Sequence, residues 1–321
     1  MCYVLSHGMV TSEKRPLKRE AFFQNISHHY ILYLMVIPGL VFFVFIRIVP
    51  TAGSIIAWQK FSIFRGIFHS QWVGWRNFQE LFAYYDFYRI FGNTLTIGLY
   101  RIIFGFPVPI ILALLMNEVA HERFKKVIQS SVYIPYFLSW VVVAQLFYSI
   151  LHPSSGIVNI FLHKTFGIEP IFFLGKDKLF QPIVTVTYIW KYSGYYSIVY
   201  LAALASVDPQ LYEAATIDGA NRWQQLWAVT IPSLLPIMVI MLLLAIGRFM
   251  EIGFDQIYNL LNPLVLSTGD IFDTYVYRVG LLEGRYSLTT AVGLFKAVIG
   301  VILVTGGNAF AKKLTGEGFF K

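Results

Sequence analysis

Few residues of this chain are of types that do chemistry, since charged side chains make up only 13% of its 321 residues. Those set inside apolar surroundings therefore carry the most information. Arg248 and Glu251 lie three apart and can share one face of a helix, either as a mutual ion pair or as the polar wall of a pathway. Lys191 stands in the run Trp190, Lys191, Tyr192, with Tyr195 and Tyr196 close behind. Rings of this kind stack on sugar faces while their hydroxyls donate hydrogen bonds, although the same residues also anchor helices at a membrane interface. Lys191 and Arg248 are suited to meet carboxylates if a ligand is acidic. Arg101 and Lys296 also fall among apolar residues, where each can snorkel to an interface or make a polar contact inside a bundle.

Catalytic patterns are missing from the sequence. There is no G-x-x-x-x-G-K-S/T to cradle nucleotide phosphates, no H-E-x-x-H and no G-x-S-x-G. The adjacent His28 and His29 precede the first apolar stretch and read as interfacial. Cys2 is the sole cysteine, which excludes an internal disulfide and a cysteine metal cluster. Neither a bound cofactor nor a metal is expected in this chain.

The elements that must position these groups are apolar helices. Hydrophobic residues make up 57% and aromatic residues 17%, with a mean hydropathy of +0.62. Soluble domains are about 45–50% apolar and about 25% charged, so the composition calls for a bilayer and lipid contact. A hydrocarbon core about 30 Å thick needs about 20 apolar residues in a helix. Six segments meet that length: Tyr30 to Pro50, Asn93 to Met116, Val127 to Leu151, Pro182 to Ser206, Ser233 to Phe254 and Leu288 to Ala311. The expected fold is an all-α integral membrane protein of six transmembrane helices, with residues 1–29 and 312–321 flanking a membrane domain of residues 30–311. About thirty mostly polar residues precede the first span and no small-residue cleavage site follows it, so that span is read as a retained helix rather than a signal peptide.

Basic residues favour cytoplasmic termini. Lys14, Arg15, Lys18, Arg19, Arg123, Lys125, Lys126, Arg222, Lys312, Lys313 and Lys321 fall on the inside in that orientation. The net charge of +8 is scattered and forms no long run, which argues for a membrane surface and against nucleic acid. The aromatic stretch Trp72 to Phe82, on the outside, is expected to lie along the membrane surface.

One inside loop has a distinctive pattern, residues 208–232. Asp208 can cap a short helix with Pro209 in its first turn, and Gly219 can end it in the left-handed conformation. Asn221 and Gln224 have capping-box spacing for a second helix through Trp223, Leu226 and Trp227, and Pro232 is expected to break the chain before the fifth span. Small Ala214 and Ala215 allow a neighbouring surface to approach closely, flanked by acidic Glu213 and Asp218. On these features alone the loop is either a docking element or a capped connector.

Glu213-Ala214-Ala215, Asp218-Gly219-Ala220 and Ile231-Pro232 with Leu234-Leu235-Pro236 resemble the EAA loop of bacterial ABC-importer permeases. The likeness extends over the six-span core and is strongest to the sugar and oligosaccharide group, which includes the larger maltose-permease subunit and permeases for polysaccharide fragments such as alginate oligosaccharides. It implies a MetI-like bundle in the bacterial inner membrane, with Glu213, Ala214, Ala215, Asp218 and Gly219 docking on a nucleotide-binding subunit. It also implies a second homologous permease, two nucleotide-binding subunits that hold ATP and Mg, and an extracytoplasmic solute-binding protein. Spacing from Glu213 puts Tyr192, Tyr195, Ala245, Phe249 and Ile252 where the maltose subunit resembles a sugar-binding wall, with Arg248 adjoining, so Lys191, Tyr192, Tyr195, Tyr196, Arg248, Phe249 and Glu251 are the expected pathway residues. Two other readings stand beside the importer: a secondary transporter coupled to protons through Glu251 or Arg248, and a membrane enzyme acting on lipid-linked sugars through Glu251 and Asp255.

Overall fold

A computed structural model describes residues 29–315, and the expectations for Cys2, Lys14, Arg15, Lys18, Arg19, His28 and Lys321 lie outside them. The chain divides into two compact units after Ile55. In the first, helix α1 (Tyr30–Phe43) carries no buried residue and runs on through Val44–Ile48 and Val49–Gly53. Its length and its exposed apolar side chains are those of a span facing lipid.

The second unit opens with a minimal antiparallel pair, β1 (Gln59–Lys60) and β2 (Gln71–Trp72), followed by the short helix α2 (Arg76–Ala83). The buried amide of Asn77 donates to the carbonyls of Ala57 and Gln59, which ties α2 to this pair. Trp72 and Trp75 stay exposed, consistent with an aromatic surface element. The long elements that follow are helical: α3 (Phe87–Asn117), α4 (Glu122–Phe137), α5 (Trp140–Ile150), α6 (Ile157–Phe166), α7 (Asp177–Ala205), α8 (Pro209–Ile217), α9 (Arg222–Gly247), α10 (Phe254–Leu260), α11 (Phe272–Tyr275) and α12 (Tyr286–Thr315).

Helices α3 and α9 and the segment Tyr286–Phe310 are each long and apolar enough to cross a membrane, as is the passage that starts at Tyr30. The third expected span is not one rod: α4 and α5 meet at a bend of 106°. Leu138 and Ser139 adopt extended backbone there, and Ser139 caps α5 by accepting from the Val142 N–H at 3.3 Å. The fourth, α7, is 29 residues long, about 43 Å at 1.5 Å per residue. It is less apolar than the others because its polar residues are packed inward, with Thr185, Thr187, Lys191, Ser193 and Ser197 all buried.

Two further corrections concern the fifth span. Pro232 does not break the chain: the helix is continuous from Arg222 to Gly247, and the wide turn Leu226–Thr230 just before Pro232 moves the carbonyls that its ring would strike. The helix also stops at Gly247, so Arg248 and Glu251 lie in irregular chain rather than on one helical face. They form no ion pair; the Glu251 N–H donates to the Arg248 carbonyl instead. Lys296 makes the polar contact expected of it, an ion pair with Asp273, whose second oxygen accepts from the Gly253 N–H at 3.2 Å.

Three apolar clusters hold the unit together. One centres on Phe87, Ile90, Phe272 and Tyr275, one on Phe180, Val184, Ile257 and Leu260, and one on Ile110, Tyr200, Leu204 and Leu234. Helix α7 contributes to the last two and packs against α4 closely enough that a Cβ at Gly194 would overlap the Val132 carbonyl. Lys191, one turn earlier and 4% exposed, donates to the carbonyls of Pro135 at 3.3 Å, Tyr136 at 2.8 Å and Leu138. Its three protons thus cap the end of α4, where a helix leaves carbonyls without partners.

Two substitutions test this packing. Gly194→Ala is expected to destabilise the protein by about 1–3 kcal/mol or more through overpacking, whereas Gly293→Ala, where a Cβ meets open space, is expected to be tolerated. Lys191→Met is expected to cost at least about 3 kcal/mol by stranding three carbonyls in an apolar setting. Thermal unfolding in detergent, followed by the loss of monodisperse protein, measures both; a Lys191→Met protein that melts with the wild type would remove the capping role.

Candidate functional site: a tyrosine-lined cavity and an exposed capped loop

Helix α7 presents Tyr188, Tyr192, Tyr196 and Tyr200 at four-residue spacing, which places them on one face. That face bounds a cavity of about 630 Å³. The opposite walls come from α3 through Gly98, Arg101 and Gly105, from the α4–α5 bend through Tyr136 and Trp140, and from the end of α9 through Ala245, Arg248, Phe249 and Glu251. Gly98 matters sterically, because a Cβ there would approach the Phe249 backbone and ring to 3.0–3.1 Å.

The rings form a continuous aromatic surface. Tyr192 lies 4.9 Å from Tyr188, 5.8 Å from Tyr136 and 5.9 Å from Trp140, centroid to centroid. Arg101 rests over Tyr188 with its guanidinium carbon 4.2 Å from the ring centroid and donates to the buried Gln256. Gln256 in turn donates to the Val184 carbonyl at 2.6 Å and the Thr187 hydroxyl at 2.8 Å, so its orientation is fixed by α7. A cleft of this volume with aromatic walls and a few fixed polar groups has the form of a small-ligand site.

Of the residues expected in a pathway, Tyr192, Tyr196, Arg248, Phe249 and Glu251 come together here, as do Ala245 and Ile252. Two do not. Lys191 sits behind the wall as the cap of α4, with the rings of Trp140 and Tyr192 each 5.5 Å from its ammonium. Tyr195 stacks on Tyr136 at 3.8 Å and turns outward, off the lining. Asp255, paired with Glu251 in the enzyme reading, is also absent from the lining. Tyr188 and Tyr200 join the wall without having been expected there, although their spacing from Tyr192 could have shown them; Tyr136, Trp140 and Gln256 join it with no local pattern to mark them.

The second feature is α8 and its flanks. Asp208 accepts from the Gln210 N–H at 2.9 Å, as its capping role requires. At the other end Gly219 has φ +79°, its N–H reaching the Thr216 carbonyl while Ala220 N–H reaches that of Ala215. Those two bonds define a Schellman stop. Asn221 and Gln224 then close a reciprocal capping box at 2.9 and 2.8 Å. The loop is pinned to the start of α9 by Gln225, which donates to Thr216 and the Ala220 carbonyl, and by the hydroxyl contact Tyr212–Thr230 at 3.1 Å. Arg222 pairs with Glu118, just past the end of α3, at 2.7 Å. Glu213, Ala214, Asp218 and Gly219 are exposed and Ala215 half-buried, while Ile217, Trp223 and Trp227 show large apolar surface with 86%, 67% and 57% exposure. A short, rigidly capped helix with apolar residues facing outward is built to meet a surface.

Comparison with known proteins bears on both features. The family described as the binding-protein-dependent transport system inner membrane component matches residues 105–316, which include the loop and most of the cavity wall. Protein LplB of Bacillus subtilis (strain 168) is 41% identical across 99% of this chain and 96% of its own length. The polygalacturonan/rhamnogalacturonan transport system permease protein YteP of the same organism is 43% identical across 96% of this chain and 95% of its own. A chain in the crystal structure of a bacterial ABC transporter involved in import of the acidic polysaccharide alginate superposes with a TM-score of 0.85 at 37% identity, covering 92% of this chain and 99% of that one. A second such structure, in complex with an alginate pentasaccharide-bound periplasmic protein, gives 0.84. Together with the capped EAA-type loop and the helical bundle, these matches establish that the chain belongs to the family of inner-membrane permease components of binding-protein-dependent ABC transport systems.

Proposed function

We propose that this chain lines one half of the route by which acidic oligosaccharides enter the cell, the other half being supplied by a second homologous permease. The observation that carries the reading is the cavity, whose four tyrosines on one helix face offer stacking surfaces and hydroxyl donors of the kind sugar rings accept. Its volume suits a segment of an oligosaccharide rather than a whole polymer. The acidic class is supported by the two guanidinium groups in the lining and by relatives whose names refer to polygalacturonan and alginate. An extracytoplasmic solute-binding protein delivers the substrate, and two nucleotide-binding subunits hold the ATP and Mg.

Coupling in this reading starts at residues 208–232, within a membrane domain of residues 30–311 whose termini, residues 1–29 and 312–321, face the cytoplasm. Glu213, Ala214, Ala215, Asp218 and Gly219 present the docking surface. From there α9 continues without interruption for 26 residues, about 39 Å, and ends beside Ala245 and Arg248 in the cavity wall. Closure of the ATPase pair would push one end of a rod whose other end shapes the site, which fits alternating access by rocking bundles.

Two measurements test this. Gly219→Pro combined with Glu213→Ala removes the left-handed stop and one acidic group, and is expected to release the ATPase subunits on co-purification and abolish substrate-stimulated hydrolysis. A complex that survives intact would end the docking assignment. Tyr192→Ala is expected to raise the half-saturation concentration for oligosaccharide uptake about tenfold through lost stacking, measured in proteoliposomes with the binding protein present; an unchanged value would move the substrate away from this wall.

A further inference from the structure

Arg101 is a charge that packing within the second unit leaves unexplained. It lies near the middle of α3, about 20 Å from either end at 1.5 Å per residue, much farther than an arginine side chain can snorkel. The snorkelling considered for it from sequence is therefore corrected. Among the described residues no carboxylate pairs with it: its contacts are the neutral amide of Gln256 and the face of Tyr188. A guanidinium has five N–H donors, and the bond to Gln256 uses one; the buried Nε has no acceptor among the described residues. Such a cation inside a membrane span is costly and is retained where it serves a ligand or a pathway.

The local backbone departs from a regular helix at the same residue. Arg101 begins the wide turn Arg101–Gly105, in which the Phe106 N–H bonds to the Arg101 carbonyl. Turns of this kind inside helices frequently mark functional positions. Packing on Tyr188 and the bond to Gln256, itself held by Val184 and Thr187, fix the guanidinium plane without neutralising it. Arg248 and Glu251 line the same cavity, so two guanidiniums and one carboxylate leave it with an excess of positive charge.

The geometry points to Arg101 as the residue that reads the carboxylate of an acidic sugar unit in the cavity, its free Nη donors forming the fork that a carboxylate accepts bidentately. This rests on the oligosaccharide-import reading and adds to it the atom group that separates uronic acids from neutral sugars. Tyr188 stacks beneath the guanidinium and holds it in place, and Gln256 keeps one donor occupied so that the plane cannot rotate away.

The test uses the full transporter with its binding protein in proteoliposomes and compares uptake of trigalacturonate with that of its methyl ester, which keeps the sugar rings and loses the charges. The wild type is expected to prefer the acid. Arg101→Gln is expected to raise the half-saturation concentration for the acid about ten- to hundredfold and to collapse the acid-to-ester preference. Arg101→Lys, which keeps the charge and loses the fork, is expected to fall between. If Arg101→Gln fails to assemble, the wild-type ratio and the Arg101→Lys value still decide the matter. Equal wild-type handling of acid and ester, or an Arg101→Gln protein that weakens both alike, would overturn the assignment while leaving oligosaccharide import standing. A wild type that transports neither compound would instead refute the import reading, and this inference with it.

Discussion

Inside a bilayer no water is at hand to satisfy a backbone carbonyl or a charge, so every departure from a straight helix must find its partners within the protein. The break between α4 and α5 is the largest such departure here, and Lys191 resolves it. A side chain from α7 turns its three protons onto carbonyls at the end of α4, while Ser139 supplies the acceptor that starts α5. The arrangement exchanges two unfavourable features for one favourable set, since the ammonium gains acceptors and the carbonyls gain a donor. Tyr136 and Trp140 stand on the two sides of that break, so the cavity wall they form exists only because the bend is held.

Prolines impose the same demand on a smaller scale. Wide turns occupy Val44–Ile48, Arg101–Gly105 and Leu226–Thr230, and a proline follows two residues after each, at Pro50, Pro107 and Pro232. In each case the carbonyl four residues before the proline lies within the wide turn, where bonding to the fifth residue relieves the ring clash and the missing N–H. The helices stay long despite residues that end helices in water. The fourth wide turn, Val276–Leu282, has no proline after it and runs instead into Gly284 at φ +71°.

The same contrast separates what could be read from the sequence from what could not. Apolar length located the helical passages, and the short-range chemistry of Asp208, Gly219, Asn221 and Gln224 gave the loop its form bond by bond, because caps depend on neighbours within four residues. Breaks and continuities depend on distant partners. Nothing near Leu138 announces a bend whose cap lies at Lys191, and nothing near Pro232 announces that the preceding turn will widen. Arg248 and Glu251 have the three-residue spacing of a helical pair, but the helix that would have paired them stops at Gly247. Tyr188 and Tyr200 were legible by their spacing; the value of Arg101 was not, because its meaning comes from the lack of a paired carboxylate among the described residues rather than from any pattern beside it.

The placement of irregular chain is the last consequence. Helix α9 stays continuous from the loop, through the wide turn Leu226–Thr230, to Gly247 and becomes irregular where Arg248, Phe249 and Glu251 meet the cavity. Phe249 is locked against α3 by the missing side chain at Gly98, and Gly253 adopts φ +91° before α10 begins. A stiff segment joined to a bent one at a ligand-sized space concentrates displacement at the joint, because close-packed helices shift as bodies and loops absorb the change in dihedral angles. On the proposed reading, Arg248, Phe249 and Glu251 are therefore the lining residues that move most for a given push on the loop, while Arg101 and the tyrosines of α7, held by Gln256 and the caps behind them, form the wall that stays in place.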